Sequence, residues 1–279
     1  MRLPNVRLLL ALSLLAASLW GCSGEDPNTG KTVLVLKHGK IEGDPEAFKR
    51  ILARFERNNP AIRVIDETLP SSTDEQHQFF IINLEGRNAD FDVFALDVIW
   101  VPEFARAGWL RDLSGLLPPK EREEFFPAAM QAVTMEGKVY AVPWYIDAGL
   151  LYYRSDLLKK YGFRPPRTWD ELVRTAQYIT AREKGMYGFL WQGKQDESLV
   201  CNALEYMWAN GGEIISGDRP VLASPQNAEA LQFMRDLIEK YRVTPALVTT
   251  ANEEACRQIF GNGKAVFMRN WPYAYEALR

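Results

Sequence analysis

The feature that most constrains the fold is the succession of a strand-like, a helix-like and another strand-like run near the N-terminus. Thr32 to His38 reads TVLVLKH, a β-rich segment that predicts the first strand. The next segment, EGDPEAFKRILARFERNNP, repeats apolar residues at helical spacing, with Asp44 to cap the helix and Pro45 in its first turn. AIRVIDETL then predicts the second strand. This order predicts a parallel βαβ unit.

The same alternation continues along the chain. Phe91 to Asp97, FDVFALD, is an unbroken apolar run that predicts a strand buried on both faces, and a helix with a glycine-terminated turn follows it. Further on, Thr168 and Glu171 form a capping-box pattern, Ser224 precedes another helix, and AVFMRN predicts a short buried strand. The fold class is therefore α/β, with a change of lobe near Pro143.

The N-terminus has the pattern of an export signal. Two arginines precede the apolar run Leu8 to Leu19, which is too short for a membrane-spanning helix. SLWGC, ending at Cys22, resembles the lipobox of bacterial lipoproteins, where signal peptidase II cuts before a cysteine that is then lipidated. We expect residues 1–21 to be a lipoprotein signal peptide and residues 22–31 a flexible tether. An ordinary signal peptide with a chance cysteine is the alternative.

Composition excludes several classes of function. Apolar residues make up 47% and charged residues 25% of the chain, as in soluble domains. A net charge of −3 gives no basic field for nucleic acid. His38 and His77 lie far from any cysteine, so neither a metal site nor a cofactor is expected. Cys201 and Cys256 could pair in an exported protein or remain free thiols.

Two clusters near predicted strand ends are candidates for a site. Asp97 and Trp100 follow the predicted strand at the sheet edge where ligands bind in parallel sheets, and the alternative is a helix cap and a core ring. Trp144, Tyr145 and Asp147 lie at the predicted lobe junction. A carboxylate beside aromatic rings suits a polyol, and the alternative is a packed crossover with a surface carboxylate.

A third cluster lies near the C-terminus. Trp271 and Tyr273 follow a predicted strand and a proline bend, with Arg269 and Asn270 beside them. They could form a stacking platform or a core aromatic cluster. The loop WQGKQDES is a weaker candidate, because it could be a solvated turn. The GNGK motif follows a helix and lacks the P-loop spacing, and no Ser-His-Asp set of nucleophilic residues is plausible.

Five segments in order resemble the family 1 extracellular solute-binding proteins of bacterial ABC importers, and in particular the trehalose/maltose-binding branch. They are DVFALDVIWVPEFARAGWL, YAVPWYIDAGLLYYRSDLLKKYG, WDELV, GFLWQGKQ and GKAVFMRNWPYAY. The similarity runs from about Thr32 to Arg279. It departs from the family in the QDES loop, where an aromatic residue and a glycine are expected.

The resemblance implies two α/β lobes, residues 32–143 and 144–279, joined by a hinge with sugar bound in the cleft between them. Carried over one at a time, the implied ligand contacts are Glu42, Asp97, Trp100, Tyr145, Asp147, Gln192, Glu197, Trp271 and Tyr273. Family members continue well beyond the last motif, so the chain resembles a C-terminally truncated member, with the second lobe and the return segments incomplete.

The implied function is that of an exported, lipid-anchored and monomeric receptor. It would capture a di- or oligosaccharide and deliver it to the permease subunits of an ABC importer without making or breaking a bond. A glycoside hydrolase is a different possibility, since Asp97, Asp147 and Glu197 could supply a catalytic pair. A truncated fragment that binds nothing is a third.

Overall fold

The computed structural model describes residues 30–41, 44–88, 90–217 and 219–279. The predicted signal peptide, the lipidation site Cys22, most of the predicted tether and the candidate contact Glu42 lie outside the described residues. None of the helices in these ranges is both long enough and apolar enough to cross a bilayer.

The first sheet belongs to the N-terminal unit, by which we mean the elements between residues 32 and 143. Its three strands are β1 (Thr32–His38), β2 (Ile62–Thr68) and β3 (Val93–Phe94), in the order β2–β1–β3. β1 runs parallel to β2 along its whole length, with Thr32 opposite Ile62. Helix α1 (Pro45–Asn58) connects these two strands, which confirms the predicted βαβ unit.

Helix α1 begins as the sequence predicts. The Asp44 carboxylate accepts the Ala47 backbone N–H at 3.0 Å, and Pro45 takes the first helical position. The Asp44 carboxylate satisfies a backbone N–H that has no partner inside the helix, and Pro45 has no backbone N–H to satisfy. Phe48 is the buried residue of this helix.

The prediction of a doubly buried strand over Phe91–Asp97 is wrong. Only Val93 and Phe94 pair with β1, and Val93 is 50% exposed. β3 lies at the edge of the sheet, so one of its sides has no neighbouring strand to extend it. The chain leaves the sheet after these two residues and turns at Asp97 into a 3-10 helix.

Beyond β3 the N-terminal unit is built from short elements around two apolar clusters. An aromatic cluster includes Phe80, Trp100 and Phe104, and a second, smaller cluster surrounds the fully buried Val139. The remaining elements are α2 (Thr73–Glu85), a 3-10 helix (Val98–Trp100), α3 (Val101–Arg106), α4 (Pro119–Arg122), α5 (Pro127–Ala132), β4 (Thr134–Met135) and β5 (Lys138–Val139).

The second sheet belongs to the C-terminal unit, by which we mean the elements from β6 onward. Its central strand β10 (Ala265–Asn270) runs antiparallel to β6 (Leu150–Tyr153) and parallel to β7 (Tyr187–Leu190). All six residues of β10 are buried, as the AVFMRN pattern predicts. The other elements are α6 (Ser155–Lys160), α7 (Trp169–Thr180), α8 (Glu197–Ala209), β8 (Ile215–Ser216), β9 (Arg219–Pro220), α9 (Pro225–Glu239), a 3-10 helix (Ala246–Thr250), α10 (Glu253–Gly261) and α11 (Tyr273–Ala277).

Two helices of this unit begin at the predicted caps. The Thr168 hydroxyl accepts the Glu171 N–H at 3.2 Å, and the Ser224 hydroxyl accepts the Asn227 N–H at 3.2 Å. Each hydroxyl satisfies one of the first-turn donors that the helix itself leaves without a partner. The predicted α/β fold class is therefore confirmed, with local boundaries set by capping.

The crossing between the two units is an extended segment, residues 140–149, that forms neither helix nor strand. The Trp144 ring lies 5.4 Å from Phe48 and 6.5 Å from His38, measured between centroids. The crossing is therefore anchored on the N-terminal unit by aromatic contacts before β6 begins in the C-terminal unit.

We expect Phe267→Ala to lower the free energy of unfolding by about 3–5 kcal/mol, because Phe267 lies in β10 with no exposed surface and its removal leaves a cavity. Urea denaturation followed by circular dichroism measures this. The matched control is Phe126→Ala, since Phe126 is 73% exposed and its loss should cost no more than about 0.5 kcal/mol. Equal losses for both variants would contradict the assignment of the core.

Candidate functional site

Asp97 lies where the N-terminal unit faces the C-terminal unit. Its carboxylate accepts the Ile99 N–H at 3.2 Å and so caps the 3-10 helix, which is the simpler of the two roles that the sequence left open. The side chain is only half-buried, and its negative charge helps to raise the pKa values of Tyr145 and Glu197. Because the charge of Asp97 acts on both Tyr145 and Glu197, Asp97 lies close to the crossing and to the start of α8.

The crossing contributes Tyr145 and Asp147. Tyr145 is exposed, and its ring packs against Trp144 with centroids 5.4 Å apart. Partial loss of hydration raises the pKa of the Tyr145 phenol, and the carboxylates of Asp147 and Asp97 raise it further. Loss of hydration also raises the pKa of Asp147. Both side chains nevertheless remain exposed, so this loss of hydration is only partial.

Glu197 is the first residue of α8 and is half-buried. Burial is the main cause that raises its pKa, and the charges of Asp97, Glu253 and Asp196 add to the effect. The Cys201 thiol donates a hydrogen bond to the carboxylate at 2.7 Å, which opposes that rise. Carboxylates from both units and from two helices of the C-terminal unit thus face one another.

The strand end after β10 carries Trp271. The guanidinium carbon of Arg269 lies 3.7 Å from the centroid of the Trp271 ring, a cation–π stack. The indole Nε1–H donates to the Glu253 carboxylate at 3.4 Å, and the Trp271 backbone N–H donates to the Asn270 side-chain oxygen at 2.8 Å. Tyr273 begins α11 and is half-buried.

Two of the sequence-predicted contacts lie deeper than the rest. Trp100 is 5% exposed and packs between His77 and Phe104, in the aromatic cluster of the N-terminal unit. Gln192 has no exposed surface, and its amide bonds to Arg269 and Asn202. A ligand role for either residue stays a prediction.

Two carboxylates at this site escaped the sequence reasoning. Glu253 follows the Asn252 cap of α10, where a first-turn carboxylate is so common that it carries no functional signal. Glu205 forms an ion pair with Arg269. Its spacing was a usable signal, because Glu197, Cys201 and Glu205 recur every four residues and so share one face of α8.

Both cysteines of the described residues are free thiols, which decides the alternative that the sequence left open. Burial, together with the neighbouring Glu197, raises the pKa of Cys201 to about 12. Burial raises the pKa of Cys256 to about 12 as well. At neutral pH both are protonated and weakly nucleophilic.

The chemistry available to this arrangement is hydrogen bonding and stacking. Carboxylates accept strong hydrogen bonds from hydroxyl groups, and indole and phenol rings cover apolar C–H faces. In the part of the chain that the structure describes, no three His, Cys, Asp or Glu residues are arranged to hold a metal ion.

A family model described as bacterial extracellular solute-binding protein matches residues 39–279. The chain belongs to this family. The match covers the C-terminal unit, the N-terminal unit after β1, and every candidate site residue from Glu42 to Tyr273.

Individual proteins show the same relationship. A probable ABC transporter-binding protein of Deinococcus radiodurans is 41% identical over 243 residues, which are 85% of this chain and 56% of that protein. The solved structure of maltose-bound MalE3 of T. maritima is 46% identical, with a TM-score of 0.82 over 88% of this chain and 63% of that one. A solute-binding protein from Thermotoga lettingae TMO bound with alpha-D-tagatose has 25% identity and a TM-score of 0.79, over 89% of this chain and 64% of that one. The chain thus spans less than two thirds of the length of these relatives.

We expect Gly149→Ala to lower the free energy of unfolding by about 1–3 kcal/mol, because the new methyl group must displace the Glu205 carboxylate and the Arg269 guanidinium from their ion pair. A Cβ at Gly149 would overlap the Glu205 carboxylate and lie 2.9 Å from Arg269 Nε and Nη2. Urea denaturation measures the loss. At Gly115 a Cβ would meet no atom within 4 Å. Gly115→Ala should therefore change stability by no more than about 1 kcal/mol, and an equal loss at both positions would contradict the packing argument.

We expect Glu197→Gln to raise the free energy of unfolding at pH 7. The pKa of Glu197 lies above its ordinary 4.5, so folding disfavours the ionised form that the substitution removes. Below pH 4.5 the carboxyl is neutral in both the folded and the unfolded chain, and the gain should disappear. Urea midpoints of both proteins at pH 7 and pH 4 measure this.

The control is a variant whose expected effect on the free energy of unfolding is opposite. Hydrogen bonds from Lys160 and Tyr161 lower the pKa of Glu183 below 4.5. Glu183→Gln should therefore destabilise the chain at pH 7, with the loss shrinking as the pH falls through that lowered pKa. The interpretation of Glu197 fails if its substitution destabilises at pH 7 as that of Glu183 does.

Proposed function

We propose that this chain is the ligand-capturing part of a sugar-binding receptor for an ABC importer. The ligand is a di- or oligosaccharide of the trehalose or maltose type, held between the two units. The observation that carries the proposal is the meeting of carboxylates and aromatic rings from four separate chain segments. Asp97 comes from the N-terminal unit, Tyr145 and Asp147 from the crossing, and Glu197 and Trp271 from the C-terminal unit.

These residue types suit a sugar better than an ion or an apolar ligand. A pyranose presents hydroxyl groups around its rim and C–H groups on its faces. Asp97, Asp147 and Glu197 would accept hydrogen bonds from the hydroxyls, while Trp271 and Tyr273 would stack on the ring faces. Burial and, to a smaller extent, its carboxylate neighbours raise the pKa of Glu197, and hydroxyl donors would relieve the repulsion between these carboxylates. We further propose Trp100, Gln192 and Glu42 as contributors to the same site.

The two units would act as lobes, residues 32–143 and 144–279, that close on the sugar by a hinge at the crossing. The separation of the two sheets supports this division, since they share no strand. The aromatic anchoring of Trp144 on Phe48 would keep the first part of the hinge fixed to the N-terminal lobe. Closure would then present both lobes to the permease.

Export and anchoring belong to the same proposal. The chain would be carried out of the cytoplasm by residues 1–21 and held at the membrane as a monomer by a lipid on Cys22. Similarity to maltose-bound MalE3 and to a tagatose-bound relative supports the choice of sugar as the ligand class.

We propose that the sugar leaves this chain chemically unchanged. The raised pKa of Glu197 near Asp97 is the one observation that favours the alternative, a glycoside hydrolase with a protonated general acid. Incubation of the chain with an aryl glycoside separates the two functions, because a binding protein would leave the glycoside intact. Release of the aryl alcohol, lost in Glu197→Gln, would establish hydrolysis.

We expect a saturable change of tryptophan fluorescence when the full chain is titrated with maltose, trehalose or sucrose. The chain should be purified in a detergent without a sugar headgroup, because its N-terminus is apolar and glucoside detergents would compete. Trp271→Ala should weaken binding of the responsive sugar by about 2 kcal/mol or more, roughly 30-fold in Kd. The matched control is Trp208→Ala, because Trp208 is 56% exposed near the far end of α8 and should not affect affinity.

Circular dichroism of the same sample shows whether it is folded. A folded chain that responds to none of the three sugars would overturn the proposed ligand class. Equal weakening by both tryptophan variants would overturn the assigned position of the site.

A further inference from the structure

Arg269 and Trp271 form a unit at the end of β10. Arg269 lies in the strand and Trp271 is the first residue after it. The guanidinium carbon lies 3.7 Å from the ring centroid, and it therefore covers one face of the indole. Arg269 is the cation that stacks on this ring. The opposite face is thus the one that a ligand could use.

The guanidinium is held from three sides. Glu205 on α8 accepts hydrogen bonds from Nε at 3.1 Å and from Nη2, a forked ion pair. Gln192 accepts from Nη1 at 3.3 Å, and its own amide donates to the Arg269 carbonyl at 2.8 Å. Gly149 lies against the pair so closely that a methyl group would not fit.

This arrangement leaves little of Arg269 to touch a ligand, because the residue is only 6% exposed. A planar guanidinium fixed by a carboxylate is well suited to hold an aromatic ring in one orientation. The Trp271 indole N–H is fixed in turn by Glu253. The ring is therefore clamped on one face and along one edge.

We propose that Arg269 is a positioning residue for sugar binding, which acts through Trp271 and does not itself contact the sugar. Glu205, Gln192 and Gly149 serve this role by locking the guanidinium. The inference rests on the proposed function, in which Trp271 is the stacking platform.

The test is a double-mutant cycle with maltose as the probe, on the full chain. Arg269→Lys keeps the positive charge but loses the planar stack, so maltose affinity should fall about tenfold. In a Trp271→Ala background the same substitution should change affinity by less than about twofold, since its route of action is gone. An equal, roughly tenfold loss in both backgrounds would overturn the proposal.

The matched control is Arg154→Lys. Arg154 forms a forked pair with Asp156 in the same unit, but that pair belongs to the start of α6. Its substitution should leave maltose affinity within about twofold. Glu205→Gln provides a second route if Arg269→Lys does not fold, because it loosens the guanidinium without removing it. It should weaken binding roughly threefold to tenfold, and only when Trp271 is present.

A measurement without sugar separates this inference from the proposed function. Acrylamide quenching of Trp271, taken as the difference between the chain and its Trp271→Phe variant, reports how well the ring is covered. Arg269→Lys should at least double that quenching, whether or not the chain binds maltose. A chain that binds no sugar but shows this increase would overturn the proposed function and keep the stack. Unchanged quenching together with unchanged affinity would overturn the positioning role.

Discussion

Strand β10 has all six of its residues buried, so every polar group of its backbone must find a partner inside the protein. β6 on one side and β7 on the other supply those partners along most of its length. The constraint fixes where the strand ends, and with it the positions of Arg269 and Trp271. β6 also brings the crossing to the same place, because its partner register sets Leu150 opposite Asn270. The candidate site is thus assembled by the pairing of one central strand.

Charge is the second organising factor. Burial is the main cause that raises the pKa of Glu197, and the charges of Asp97 and Glu253 add to it. Repulsion between these carboxylates would normally drive them apart. Rigid elements prevent this, since Asp97 caps a 3-10 helix while Glu197 and Glu253 begin α8 and α10. At these helix starts the backbone N–H groups offset part of the negative charge. The arrangement keeps hydrogen-bond acceptors close together.

Local patterns in the sequence predict much of the fold. Asp44, Thr168 and Ser224 cap their helices because capping depends on neighbours three residues away. The length of the strand at Val93 could not be predicted from a local pattern, since it depends on which strands flank it. Helix α2 was missed because its apolar residues run consecutively from Phe79 to Ile82 and hide the helical period.

The site was predictable to the extent that it follows strand ends and helix starts. Asp97, Glu197 and Trp271 each occupy such a position, so a pattern in a single sequence points to them. The pairing of Arg269 with Glu205 joins residues 64 apart, and the side-chain burial of Arg269 depends on packing that no local pattern encodes. Resemblance to a family implied roles for single residues, whereas the clamp behind Trp271 depends on contacts between residues that are distant in the sequence.

Helix α8 sets the distance between two parts of the site. Glu197 lies at its first turn near Asp97, and Glu205 holds Arg269 two turns later, about 12 Å further along the axis. The shared face depends on a repeat of four residues, so one inserted or deleted residue between them would rotate Glu205 by about 100° away from Arg269. A single substitution between Glu197 and Glu205 leaves their spacing unchanged, whereas an insertion or a deletion changes it. A lineage that varies its ligand can therefore exchange the exposed side chains between these two residues, while the number of residues between them stays constant.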